Sequence, residues 1–408
     1  MRHPSFLPAL CFFPLSWVFC AFVLTQALFA LGWNLGGGQW MWGAALVLTA
    51  VFVFRLFQGL GAREVACCGA ITVAVWLAFC GIGAIVHDFS YDGQAYHQEA
   101  IIRLAEGWNP WTQPLTAEQT NQYQWLNGYP KITWQVGTLS YLIWNRIETA
   151  KVAMWLIGIS ATGFAALWTR QAAAISPAPR LIWAVYFLLM LNPIALSQWA
   201  TFQLDGFVYW CLVGMLCGLM SVAYPRLSPL SPPIALITFA LFALSLATAK
   251  FTGIVFAVYA TLVMGALLSC RRQALPPLSR RDLAVAAMVT VGITALCMTH
   301  PYLHNTVRYR HPLWPVLGPK PTNIIGYAEH SDFVRRDRVT KFLWANNARA
   351  RNIAGFRGAV DEKQYGRPRW KIPFSLYRSE IRPYVAPDVH IGGFGPWYGG
   401  ALLTGTVL

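Results

Sequence analysis

Four short stretches of this 408-residue chain carry the residue types that bond-making chemistry needs. The first is His87-Asp88-Phe89-Ser90-Tyr91-Asp92-Gly93-Gln94-Ala95-Tyr96-His97, two carboxylates and two imidazoles directly after an apolar run. An aspartate placed there can take the proton of a hydroxyl as a general base. Asp88 and Asp92 can instead share a divalent cation, because hard cations prefer carboxylate oxygens. The second stretch, Tyr129-Pro130-Lys131, opens a short apolar segment. Lys131 is either a point charge for a phosphate or a snorkelling anchor at a membrane boundary. The third joins Lys250, in a tight turn between two apolar runs, with Asp205 of Gln203-Leu204-Asp205-Gly206. Charge beside apolar helices is costly and by default suggests function. Asp205 either favours the positive end of a helix or hydrogen-bonds a sugar hydroxyl. The fourth runs from His300 to Pro315 and alternates cations with rings. Arg308 and Arg310 suit a phosphate, while the rings suit a sugar face. The plain alternative is an aromatic belt with interfacial arginines.

The elements that must position these residues are membrane helices. Hydrophobic residues make up 56% of the chain and charged ones 12%. Soluble proteins carry about 25% charged residues, so this chain lacks the charge to cover a soluble surface. A bilayer crossing takes about 20 residues, and nine or ten apolar runs approach that length. The runs are 6–31, 41–57, 65–86, 152–168, 181–191, 207–223, 234–247, 252–268 and 283–298, with another beginning near Trp397. The expected fold is an all-α polytopic membrane bundle, which excludes fibrous, disordered and disulfide-scaffold classes. The nine cysteines lie within or at the ends of apolar runs, with no metal-site spacing. The net charge of +15 serves helix orientation rather than nucleic acid.

Five regions follow. Residues 1–86 hold the N-terminal helices, beginning with a retained helix rather than a cleaved signal. Residues 87–151 form a first large outer loop, with a juxtamembrane helix over Glu99–Trp108 that lies on the membrane surface and a re-entrant or interfacial helix over Ile132–Trp144. Residues 152–299 form the bundle, 300–390 a basic outer loop, and 391–408 the start of a helix expected to continue past Leu408. Arginines of the short loops (Arg55, Arg63, Arg170, Arg180, Arg226) fix the inner side. The outer side then holds His87, His97, His300, His304, His311, His330 and His390, and every carboxylate except Glu64 and Asp282. No internal repeat, P-loop, dinucleotide-binding glycine motif or nucleophile elbow occurs.

In order along the chain these stretches resemble the GT-C superfamily of membrane glycosyltransferases, akin to the protein O-mannosyltransferase and aminoarabinose transferase families. The resemblance runs from His87 to Pro315. It includes Glu106-Gly107-Trp108-Asn109-Pro110 at the end of the juxtamembrane helix and Asn192-Pro193 at a later outer turn. It implies a polyprenyl-phosphate-linked sugar donor drawn from the membrane lipids, an outer-face active site in the inner membrane, and an acceptor left unspecified. In that superfamily the first-loop acid is the base or binds metal, which maps onto Asp88, with Asp92 next. A lysine opening the short helix binds donor phosphate, which maps onto Lys131, joined by Lys250, Arg308 and Arg310. Tyr91, His97, Asp205, His300 and His304 are then the sugar- or acceptor-binding residues. The chain departs from the pattern in having Asp88-x-x-x-Asp92 rather than an adjacent acidic pair, and in two spans before the usual first helix. Two other classes compete: a transporter or flippase for an anionic lipid, and an inactive GT-C-fold subunit of a polysaccharide assembly complex. Transporters tend to show repeats and midplane binding residues, and neither occurs here.

Overall fold

The computed structural model describes residues 4–270, 280–322, 331–347 and 370–375. Among these residues every regular element is a helix. In chain order they are α1 (Phe6–Ala30), α2 (Trp40–Leu56), α3 (Ala62–Ile85), α4 (Gln98–Ala105), α5 (Tyr123–Gly128), α6 (Ile132–Trp144), α7 (Val152–Ile175) and α8 (Pro179–Met190). Then come α9 (Pro193–Ser197), α10 (Asp205–Ala223), α11 (Pro232–Ala247), α12 (Phe251–Cys270), α13 (Arg280–Met298), α14 (His304–Tyr309), α15 (Ser331–Val334) and α16 (Arg338–Asn347). Five are long and apolar enough to cross a membrane: α1, α3, α7 with its preceding turn, α10 and α12. Helices α2, α8 and α11 are apolar but shorter. The nine or ten runs read from the sequence therefore correspond to helices of unequal length. The run near Trp397, with all of 391–408, lies outside the described residues.

Helix α1 is apolar on all sides and buries most of its length, as a helix at the centre of a bundle must. It packs on α2, α3 and α7; α7 packs on α10, and α10 on α11. Pro14 interrupts the α1 ladder, and a hydroxyl from α7 repairs it. Ser160 Oγ accepts from Leu15 N at 3.0 Å and donates to Cys11 O at 2.7 Å. The α10–α11 contact is close because Gly214 leaves room for the ring of Phe242 and Gly218, four residues on, for the backbone of α11 at Phe239 and Ala235. Small residues at such spacing are how membrane helices approach one another.

Two expectations about the short helices change. Helix α4 presents Ala100, Ile101 and Leu104 not to a lipid surface but to α6, and all three are buried. Its apolar face has a protein partner, so the amphipathic pattern reports core packing. Helix α6 is buried from Ile132 to Ser140 and packs against α1, α4 and α7. Its 13 residues span only about 20 Å, and it is an internal helix rather than an interfacial one.

The chain divides into two compact units, one of Met1–Asp88 and Asp92–Trp314, the other of Phe89–Tyr91 and Pro315–Leu408. Within the first unit, Asn305 ties α14 to the turn before α6 and to the segment that follows α14. Its amide donates to Gly128 O at 2.9 Å, Trp314 O at 3.0 Å and Pro312 O at 3.2 Å. In the second unit, Asp337 caps α16 by accepting from Val339 N and Thr340 N, both at 3.0 Å. Trp344 stacks on Phe333 with ring centroids 6.4 Å apart.

Candidate functional site

Three groups of polar residues lie at the end of the first unit where α3 stops, α6 starts and α10 starts. The first is a buried knot. Lys151, fully buried, donates to Glu148 Oε2 at 2.6 Å, to Ala200 O at 3.1 Å and to Val86 O. Glu148 also accepts from Asp88 N through Oε1 at 3.2 Å, and His87 Nδ1 lies 3.8 Å from that same oxygen. The Asp88 carboxylate, itself 2% exposed, accepts from Phe202 N at 3.0 Å. The end of α3, the turn before α7 and the turn before α10 are thus held together by one ion pair and one carboxylate.

The second group is acidic and more open. Asp92 is half-buried and takes a hydrogen bond from the Tyr96 phenol. Asp205 is exposed at the start of α10 and pairs with Lys250 from the turn before α12. Burial comes first in raising the Tyr96 and Tyr129 phenols above their usual range, and both Asp92 and Asp205 add to it. The two carboxylates therefore address the same pair of phenols. His97 is buried and its Nδ1 accepts from Trp134 Nε1 at 2.6 Å. Burial, then the Lys250 charge, lowers it to about 3, so it is a neutral imidazole. Stacked and edge-on rings floor this group: Tyr96 on Trp125 at 6.1 Å, Tyr129 on Trp134 at 6.2 Å, and Phe251 against Tyr129 at 4.9 Å.

The third group is cationic. Lys131, at the start of α6, is 1% exposed and donates to Tyr129 O at 2.7 Å and Asn127 O at 3.1 Å. Its ammonium also lies over the indoles of Trp134 and Trp108, 5.4 and 5.7 Å from their centroids. Among the described residues it forms no ion pair with a carboxylate, and burial pulls it well below the ordinary lysine range. His300 is buried beside it, and His304 and Arg308 follow on α14. Arg308 donates to Trp111 O at 3.3 Å, and the Trp111 ring meets His304 edge-on at 5.5 Å. Trp134 joins the second and third groups: its N–H serves His97 and its face serves Lys131.

Local sequence accounts for much of this framework. Gly107 ends α4 with a φ of +102°, and an added Cβ would sit 3.3 Å from Asn34. Asn109 then donates to Trp33 O at 2.7 Å and Phe29 O at 3.2 Å, fastening the segment to the end of α1. Asn127 exchanges hydrogen bonds with the Leu115 backbone at 2.9 and 2.8 Å.

Of the residues singled out from sequence, the structure gathers Lys131, His300, His304 and Arg308 in one place. It gathers Asp92, His97, Asp205 and Lys250 in another. Lys250, expected at the phosphate, pairs with Asp205. Arg310 is exposed and ends α14 in a left-handed conformation with φ +60°. Tyr91 is exposed and belongs to the second unit. Asp88 and Asp92 were the alternative metal pair; among the described residues no group of three or more His, Cys, Asp or Glu side chains is placed to hold a metal ion. The Asp88 carboxylate is already committed to a backbone N–H. Sequence reasoning missed Glu148, Lys151, Trp134 and Asn305. Glu148 and Lys151 are three residues apart just before an apolar run, a spacing that signals an ion pair on one helical turn. Comparison with family models, with curated proteins and with solved structures finds no match to this chain.

Proposed function

We propose that this protein is a membrane glycosyltransferase of the GT-C kind, moving a sugar from a polyprenyl-phosphate-linked donor to an acceptor hydroxyl on the outer face of an inner membrane. The observation that carries the reading is a buried lysine, Lys131, that meets no carboxylate among the described residues, joined through Trp134 and Tyr129 to a half-open pair of carboxylates. Such a pairing suits a substrate with an anionic leaving group on one side and a hydroxyl to be deprotonated on the other. The outer-face assignment rests on the arginines of the opposite loops.

In this scheme Asp92 takes the acceptor proton as the hydroxyl oxygen bonds to the anomeric carbon. The carbon–oxygen bond to phosphate breaks, and the phosphate leaves with the electron pair into the charge of Lys131 and Arg308. Preorganised charge of this kind is a large term in catalysis. We assign the base to Asp92 rather than Asp88, because Asp88 is buried on a backbone N–H whereas Asp92 is partly exposed. Asp205, held by Lys250, is positioned for a sugar hydroxyl. The test is to incubate the purified protein in nanodiscs with a panel of polyprenyl-phosphate sugars and follow product by mass spectrometry. Transfer that falls by about a hundredfold or more in Asp92→Asn supports the scheme. Leaflet exchange of the donors without any transfer would instead make the protein a flippase.

A further inference from the structure

The scheme above uses Lys131 and Arg308 and leaves His300 and His304 without a task. Their rings lie 5.1 Å apart at 86°, and neither Nδ1 has a hydrogen-bond partner although both atoms are buried. Buried polar atoms are nearly always paired, so an orphan of this kind asks for a ligand. Among the described residues the charged groups that face them are all basic. Lys131 comes from the turn before α6, and Arg308 comes from α14, with each histidine also facing the other. Burial first, then these cations, hold both imidazoles below their usual range, so the pair is neutral at neutral pH. Lys131 is depressed by the same burial. A pocket whose facing charged groups are basic, with two buried imidazole nitrogens left unpaired, has the composition of an anion site without its counter-charge.

We propose that His300 and His304 complete a phosphate site with Lys131 and Arg308, and that a phosphate ester binds there together with a proton taken up from water onto the histidine pair. The negative oxygens supply what the pocket lacks, the orphan Nδ1 atoms become N–H donors to them, and the imidazolium is stabilised by a charge-assisted bond. The identity of the lipid on the ester rests on the glycosyltransferase reading; the coupled proton does not. Because the occupied site holds more protons than the empty one, affinity rises as pH falls. The linkage slope is up to about tenfold per pH unit for each proton taken up.

The experiment uses the full chain in phosphatidylcholine nanodiscs and methyl farnesyl phosphate, a diester whose single charge stays constant from about pH 5 to 8. Binding is read by quenching of the neighbouring tryptophans. Proton uptake is read by calorimetry in buffers of different ionisation heat. Affinity that climbs toward acid, uptake of about one proton per ester, and a flattened pH profile in His300→Gln and His304→Gln are the expected results. Tight binding with a flat pH profile in the unsubstituted protein overturns the proposal, and that outcome needs no variant to fold. Equal affinity for methyl dodecyl phosphate, with the proton still taken up, supports the proposal and removes the isoprenoid from the glycosyltransferase reading. Absence of binding for either ester overturns both.

Discussion

Lys131 and Lys151 are both removed from water, and their surroundings differ in one respect. Lys151 has a carboxylate at 2.6 Å and two carbonyls. Lys131 has two carbonyls and two indole faces, and among the described residues no carboxylate. Removing an ion from water costs several kcal/mol, and an opposite charge at close range offsets that cost. The Lys151 pair closes a structural knot: it is neutral as a whole, and it holds three chain segments at fixed distances. Lys131 is unmatched, so the pocket around it favours either loss of a proton or arrival of an anion. Burial alone does not distinguish a structural lysine from a binding one; the presence of a counter-charge does.

The largest expected effect comes from breaking the matched pair. Lys151→Met leaves Glu148 buried without its partner, at a cost of about 3–5 kcal/mol, read as loss of folded protein in bicelles. Replacing both, Lys151→Met with Glu148→Gln, should recover most of that stability, since no lone charge remains. A double variant as unstable as the single would mean that the carbonyl contacts, and not the charge pair, hold the knot. Next in size is the contrast between the two aspartates. Asp92→Asn should lose transfer by about a hundredfold or more while the protein stays folded. Asp88→Asn keeps an acceptor for Phe202 N and should retain turnover, whereas Asp88→Ala should lose about 1–3 kcal/mol of stability. Equal loss of transfer in both asparagine variants would return Asp88 to the chemistry.

Lys131→Met sharpens the comparison from the other side. A hydrogen bond to a charged group contributes about 1.5–3 kcal/mol, so isoprenyl phosphate should bind about ten- to a hundredfold more weakly. Without phosphate the same variant should lose less stability than Lys151→Met, because two carbonyl contacts but no buried ion pair are lost. A smaller effect follows from His97. Burial holds it neutral down to about 3 against an ordinary 6.5, so below that ordinary value the unfolded chain binds the proton first. The stability it confers is complete above about pH 6.5 and declines as pH falls toward 3. His97→Gln should flatten that decline in thermal melts taken between about pH 7 and 5. The smallest effect is expected at Asp205 and Lys250. The carboxylate is exposed, and removing it by Asp205→Asn should change stability by at most about 1 kcal/mol, leaving any larger loss of transfer to its contact with the sugar.

The helices were legible because their signal is local. The run expected at 6–31 is α1 at Phe6–Ala30, and the run at 207–223 begins as α10 at Asp205, where an acidic residue suits a helix start. The short helices were legible as helices but not as to their neighbours. The Ile101–Leu104 stripe is identical whether lipid or α6 covers it, since an amphipathic face shows what it avoids and not what it meets. The candidate site was legible by residue type: Lys131, Arg308, Asp92 and Asp205 were all singled out. The grouping was not, because His300 was read with sugar contacts and stands with Lys131, while Lys250 was read with phosphate and stands with Asp205.

What the sequence determined by itself is the material: apolar runs of bilayer length, basic residues in the loops, and ionisable residues at a few turns. Composition and periodicity are properties of neighbouring residues, and the helix repeat converts them into faces without knowing the fold. What the tertiary structure alone decided is which charges meet. Glu148 neutralises Lys151 because the ends of α3 and the turns before α7 and α10 converge. Among the described residues Lys131 meets no carboxylate, because the charged groups of the segment that reaches it, His300 to Arg308, are all basic. Electrostatic partnership depends on distance and on exclusion of water, and both are set when segments distant in the chain pack together.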